Sequence, residues 1–245
     1  MSNSDTTITV LVSARRNSKY LAKFMHGFFT RTAQMKNIEL FVMLNKHDTW
    51  NRELQAFYMA MSAMQHNQIR FFEEDLGQGR AGLHNYFNHM AEYATGEWII
   101  YFCEDHFIEV NGWDDEIRKF AADKNLDPSK IYCIVPKFDN VGTMNHIISK
   151  GMYFAMGQVG RHGWIDSYLN EVIKGLPTER VLKMDRELFH DFTHDQPNPM
   201  SEAHLQSVSP ADLDPKEFPA FDQPSVARLV QEDRDQLFNQ VRKGM

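Results

Sequence analysis

Cysteine is scarce in this chain: of 245 residues only Cys103 and Cys133 carry a thiol, and both sit inside apolar runs. Two such residues build neither a disulfide-stapled domain nor a four-cysteine zinc site. Basic residues are in the minority as well, 26 Lys and Arg against 33 Asp and Glu, for a formal charge of −7. That balance argues against non-specific capture of nucleic acid and leaves room only for a local basic groove. No apolar stretch reaches the roughly 20 residues of a spanning helix. The first apolar run, Ile8 to Val12, stops at Ser13-Ala-Arg-Arg16 and lacks the basic-then-apolar order of a signal peptide. A cytoplasmic protein, at most peripheral to a membrane, is expected. Three catalytic motifs are missing too. There is no Gly-Lys-Ser/Thr after a glycine turn, no His-Glu-x-x-His helix and no Gly-x-Ser-x-Gly elbow, so P-loop, zincin and serine-hydrolase chemistry find no support.

What is present is an ordinary globular composition, 42% apolar and 24% charged, with two alternating patterns. Ile8 to Ser13, Ile38 to Leu44, Ile69 to Phe72 and Trp98 to Cys103 read as strands. Between them, Tyr20, Leu21, Phe24, Met25 and Phe28 recur at helical spacing, as do Leu54, Phe57, Tyr58 and Met61, and then Leu83, Tyr86, Phe87, Met90 and Ala91. Thr95-Gly96 is read as the stop of that third helix, with Gly in the left-handed cap. Trp98 to Cys103 is the most continuous apolar run, as a central strand covered on both faces requires. Alternation of this kind predicts an α/β fold with a mostly parallel central sheet flanked by helices.

The pattern loosens after residue 107. Trp113 to Ala122 reads as a helix, with Asp114 and Asp115 as surface residues at its entry, and Ile131 to Val135 as a strand. Tyr153 to Met156 is expected to be extended, Ile165 to Ile173 helical, and Val181 to Met184 and Leu188 to Phe192 short β segments. Six of the nine prolines fall between Pro197 and Pro224, so that stretch is expected to be irregular. Ser225 to Val241 is an amphipathic helix that suits either the domain's own core or an oligomer. The expected division is a catalytic domain over 1–195 and an irregular C-terminal extension over 196–245.

The most informative feature is Glu104-Asp-His106, directly after the central strand. In open parallel sheets, ligands collect outside the carboxyl ends of the strands. Two carboxylates and an imidazole emerging there can hold a divalent cation, which would neutralise a diphosphate leaving group. A solvated acidic cap is the alternative use of the same residues.

Ile8 to Asn17, Ile38 to Leu44 and Ala94-Thr-Gly-Glu-Trp-Ile-Ile-Tyr-Phe-Cys-Glu-Asp-His106 together resemble a family 2 type glycosyltransferase of GT-A fold, over about residues 6 to 194. The resemblance places the family's Asp-x-Asp metal motif on Glu104, Asp105 and His106, with Glu for the first acid and His for the last. Imidazole suits Mn²⁺ better than Mg²⁺, so Mn²⁺ is the expected cofactor and Mg²⁺ the lesser one. On the donor side, the resemblance implies phosphate contacts from Arg15 or Arg16 and base or ribose contacts from Asn45 and Asp48. It also puts Arg80, in Gly77-Gln-Gly-Arg80, at the diphosphate. On the acceptor side it implies Asp166 as the base that deprotonates the acceptor hydroxyl, with Glu171 as fallback; an N-cap is the rival role for Asp166. Trp164 would stack on a sugar or pack at the helix start. His190, or else His194, falls where relatives carry a late metal-ligating histidine.

The implied activity is a metal-dependent, inverting, hexosyltransferase-like transfer from a nucleoside diphosphate sugar to an acceptor hydroxyl, on a glycan or lipid-linked glycan. A modified DNA base is a narrower acceptor, disfavoured by the negative charge. Nucleotidyl transfer is the enzymatic alternative, and an inactive carbohydrate- or protein-binding module the non-enzymatic one.

Overall fold

Runs of β-branched and aromatic residues become strands in the computed structural model, which describes residues 6–14, 18–45, 55–56, 59–60, 68–74, 82–103, 106–137, 145–191 and 224–245. Ile8–Ala14 (β1), Ile38–Asn45 (β2), Gln68–Glu74 (β3) and Trp98–Cys103 (β4) run parallel. His106–Ile108 (β5) leaves this sheet, whereas Cys133–Val135 (β6), Ile147–Ser149 (β7) and Val181–Lys183 (β8) extend it to seven strands in the order β3-β2-β1-β4-β7-β6-β8. Among these strands β7 alone runs against its neighbours. Phe189–Asp191 (β9) pairs with β5 in a separate antiparallel ribbon. The expected mostly parallel sheet is present, and β4 is its middle strand.

Among the described residues, helices Ser18–Arg31 (α1), Leu83–Ala91 (α2), Trp113–Asp123 (α3), Lys150–Met156 (α4), Ile165–Ile173 (α5) and Pro224–Arg242 (α6) pack around the sheet. Side chains of β4 alternate between two cores. Trp98, Ile100 and Phe102 pack with Phe24 and Phe28 of α1 and Trp113 and Ile117 of α3. Ile99 and Tyr101 face the other way, toward Phe87 of α2, Met152 of α4 and Leu169 of α5. Each fully buried large side chain of this kind contributes about 1.5–3 kcal/mol. The apolar stripe of α6 joins the second core through Val230 and Leu237, so this chain's own domain takes up the face that also suited an oligomer.

The amino ends of the strands are pinned by one buried carboxylate. Glu39, 3% exposed, accepts from the Thr9 hydroxyl at 2.6 Å, the Thr95 amide at 2.9 Å and the Gly96 amide at 3.1 Å, and also from the Thr95 hydroxyl. A buried acid is tolerable only when its lone pairs are filled in this way.

Several local expectations are corrected. The helix before β4 ends at Ala91, and Gly96 is not in the left-handed region. Its glycine is required by close approach instead: a Cβ would lie 2.4 Å from Thr9 Oγ1 and 2.7 Å from the Thr9 amide. Tyr153 to Met156 is helical, because Ser149 caps α4 by accepting from the Met152 amide at 3.1 Å. Asp114 is fully buried, not a surface residue. It accepts from the amides of Ala33 and Gln34 at 2.7 and 3.0 Å and pairs with Arg118 at 2.6 Å, tying α3 to the link between α1 and β2.

Substituting Gly96→Ala is expected to lower unfolding stability by about 2–3 kcal/mol, through overpacking against the Thr9 backbone. Gly157→Ala, at φ +72° with open space around it, is expected to lose only about 1 kcal/mol. Urea unfolding measures both, and equal losses would contradict the close-approach account.

Candidate active site

Parallel strands deliver their carboxyl ends to one edge of the sheet, and His106 of β5 lies there against the last residue of β4. The His106 imidazole is 4% exposed and folds back on Cys103, with Nδ1 3.1 Å from the Cys103 carbonyl oxygen and 3.2 Å from its amide nitrogen. Phe102 packs against the ring edge-on at 6.0 Å. A backbone partner at Nδ1 orients such a ring and directs metal ligation to Nε2.

Asp166, on α5, lies near enough to Tyr101 of β4 for its charge to act on that phenol. It lies in the first helical turn, but the capping position belongs to Trp164, whose carbonyl accepts from Tyr168 at 2.8 Å. Asp166 is therefore not the N-cap. The loop leading to it is held from α2, since Asn88 accepts from the Val159 amide at 2.8 Å and donates to the Gly160 carbonyl at 2.8 Å. His162 is buried and accepts from the Trp164 amide at 3.2 Å, a turn-closing role. Trp164 itself is 43% exposed beside Asp166.

Asn170 sits one turn after Asp166 on the same helical face. Its Oδ1 lies 2.9 Å from Nε2 of His146, and His146 Nδ1 lies 3.0 Å from the Tyr101 hydroxyl. One tautomer satisfies the whole chain, with the phenol donating to Nδ1 and Nε2–H donating to the Asn170 carbonyl. Asn145, at φ 63°, turns the backbone into β7 and donates to the Tyr101 carbonyl at 2.9 Å. The Asp166 charge is felt along this chain. Burial, and then the nearby Asp166 carboxylate, raises the Tyr101 phenol well above its usual range. Burial lowers His146 from 6.5 to about 4, against the opposing pull of the Asn170 bond and the Asp166 charge. Burial likewise raises the Cys133 thiol, which is consistent with a core role.

Two of the other sequence-predicted residues, His190 and Glu171, are described and have partners of their own. His190 pairs with Phe107 in the β5–β9 ribbon, and His106 pairs with Asp191. Successive residues alternate faces, so His106 and His190 project from opposite sides of the ribbon. His190 Nδ1 instead lies 3.7 Å from Glu187. Glu171 is engaged by Lys174 and by Arg234 of α6 at 3.3 Å. Arg15, Arg16, Asp48, Arg80, Glu104, Asp105 and His194 lie outside the described residues, and so does the side chain of Asn45, which ends β2. Among the described residues no three His, Cys, Asp or Glu side chains converge on a metal position. No described helix is long and apolar enough to cross a membrane. Tyr101, His146, Asn170 and Asn88 were not singled out by sequence reasoning. Only the i,i+4 spacing of Asp166 and Asn170 could have pointed to one of them.

Neither any protein-family model nor any curated protein sequence matches the chain. Solved structures do. TarS from S. aureus superposes with a TM-score of 0.59 at 11% identity over 77% of this chain, which spans 38% of that protein's chain. TarS 1-349 in complex with UDP gives 0.58 at 9% identity, covering 98% of this chain and 92% of that one. The mannosyltransferase PcManGT from Pyrobaculum calidifontis, in complex with GDP-Man and Mn²⁺, gives 0.57 at 13%, covering 97% and 82%. A putative glucose-1-phosphate thymidylyltransferase from Bacillus anthracis gives 0.51 at 6%, covering 84% and 96%. At these identities the likeness establishes the fold, a Rossmann-like GT-A architecture.

The depressed His146 value has a consequence for stability. Between pH 6.5 and about 4 the unfolded chain binds a proton that the folded chain refuses. Stability therefore falls as pH drops through that window, by up to about 3 kcal/mol once pH is below both values. In urea titrations across this range, His146→Gln is expected to flatten the slope. An unchanged slope would show that His146 is not buried in its neutral form.

Proposed function

We propose that the chain is a family 2 type glycosyltransferase that moves a hexosyl unit from a nucleoside diphosphate sugar to an acceptor hydroxyl with inversion. What supports this reading is Asp166, a first-turn carboxylate that is not used as a cap and whose charge acts on Tyr101 of the middle strand. A base there removes the acceptor proton as the acceptor oxygen attacks the anomeric carbon. On the opposite side the bond from that carbon to the diphosphate oxygen breaks, and the nucleoside diphosphate leaves with the electron pair. The exposed Trp164 indole lies two residues from this base and offers a flat apolar surface to a sugar ring, which favours a glycan or lipid-linked glycan acceptor.

The donor half of the proposal assigns phosphate contacts to Arg15, Arg16 and Arg80, base and ribose contacts to Asn45 and Asp48, and a donor contact to Asp105. A divalent cation, Mn²⁺ before Mg²⁺, belongs to the same proposal. Glu104 and Nε2 of His106 would hold it, and the Nδ1 contact to the Cys103 backbone fits an imidazole oriented for that task. His190 is the weaker ligand candidate, being on the other face of the ribbon. When bound, such a cation neutralises the departing diphosphate. The fold likeness to a mannosyltransferase holding GDP-Man and Mn²⁺ supports this class of donor. Nucleotidyl transfer is the second reading, supported by the fold likeness to a thymidylyltransferase.

Incubation with UDP- and GDP-sugars and glycan acceptors is expected to release nucleoside diphosphate and no pyrophosphate, and pyrophosphate release would establish the second reading. Asp166→Asn is expected to retain donor binding while turnover drops at least about 100-fold. An Asp166→Asn variant with the parent's kcat would remove Asp166 from the mechanism. Turnover is also expected to disappear in EDTA and return with Mn²⁺. Equal rates in both would exclude the cation.

A further inference from the structure

We propose that His146 is the positioning residue for Asp166: its imidazole bridges the Tyr101 hydroxyl of β4, at 3.0 Å, and the Asn170 side chain of α5, at 2.9 Å, and so fixes the helical face on which Asp166 stands one turn earlier. The inference rests on Asp166 being the base that accepts the acceptor proton.

The geometry is suited to this task in three respects. First, β4 is the least yielding element available, the middle strand of the sheet with its side chains buried on both faces. A hydrogen-bonded bridge to it ties α5 to the frame of the site. Ordinary apolar packing from Leu169 and Val172 would allow the helix to slide or rotate by small amounts. Second, Tyr101, His146 and Asn170 exchange donors and acceptors in one direction with a single tautomer. With the proton on Nδ1 instead, the Nε2 lone pair would face the Asn170 carbonyl oxygen, acceptor to acceptor. Third, the bridge is neutral. A neutral imidazole orients α5 without placing a fixed charge beside the Asp166 carboxylate. The burial that keeps His146 uncharged thus serves the base as well as the fold.

A bridge with no other task than stability would weaken folding without acting through Asp166, and a double-mutant cycle separates the two roles. The variants are His146→Gln, Asn170→Ala and Asp166→Asn, singly and with each bridge change in the Asp166→Asn background. Asn170 is only half-buried, so Asn170→Ala keeps the test decisive where His146→Gln fails to fold. Nucleoside diphosphate release from UDP- and GDP-sugars is the readout, with kcat and donor KM determined separately on folded protein. For His146→Gln and Asn170→Ala we expect kcat to fall roughly 10- to 100-fold with donor KM within about twofold of the parent. In the Asp166→Asn background the same changes are expected to bring no further loss. Losses that multiply in that background, or a kcat unchanged by both bridge variants, would overturn the positioning role while leaving Asp166 as base. Parent-like turnover in Asp166→Asn, or a parent chain that consumes none of these donors, would overturn the proposed activity and this inference with it. Imidazole ¹⁵N resonances of the parent give a readout independent of turnover. His146 is expected to be neutral and protonated at Nε2 at neutral pH, and an imidazolium or the Nδ1–H form would contradict the bridge.

Discussion

A strand covered on both faces has nowhere to put a charge except at its ends, and β4 governs the molecule through that constraint. Its side chains from Trp98 to Phe102 are buried in two separate cores, so charge along its length would be prohibitively costly. Polar chemistry is driven to the two termini, which perform different jobs. At the amino end, Glu39 gathers Thr9, Thr95 and Gly96 and sets the starts of β1, β2 and β4 against one another. At the carboxyl end His106, the first residue of β5, folds back on the backbone of Cys103.

The second element of the site, α5, is short and has no side-chain N-cap, so its position has to come from its neighbours. On one side it meets His146. On the other it is gripped by α6: Tyr168 donates to Asp233 at 2.6 Å, Arg161 pairs with Asp233 at 3.0 Å, and Arg234 donates to the Glu171 carbonyl at 2.8 Å. Asp233 is fully buried, and burial raises its carboxyl despite the Tyr168 bond and the Arg161 charge that oppose the rise. A buried acid paired in this way is costly to break, by about 3–5 kcal/mol when one partner is lost. The C-terminal helix is therefore a support for the segment that carries Asp166.

Much of the frame was legible in the sequence because periodicity reports burial. The unbroken apolar run of Trp98 to Cys103 and the stripes of α1, α2, α5 and α6 follow directly from which faces are covered. Three-residue strands such as β7 are too short to show a period, and Tyr153 to Met156 lost its helical reading because the Ser149 cap lies four residues upstream. Asp114 and Gly96 were misjudged because their roles depend on what approaches them from distant parts of the chain. Of the site, Asp166 came from the family resemblance alone, and its N-cap alternative needed the helix boundary to be excluded. The Tyr101–His146–Asn170 bridge joins β4, the residue before β7 and α5 across up to 69 positions, and no local pattern encodes it.

The central claim is that donor, cation and base meet at the carboxyl end of β4. An amide NMR titration with UDP or GDP in the presence of Mn²⁺ tests it most directly. The account predicts shifts or paramagnetic broadening confined to the segments around Tyr101 to His106, Asn145-His146 and Trp164 to Asn170, with Thr9, Glu39 and Gly96 unaffected. Responses at the Glu39 end, or a silent Asp166 segment while the nucleotide binds elsewhere, would contradict it.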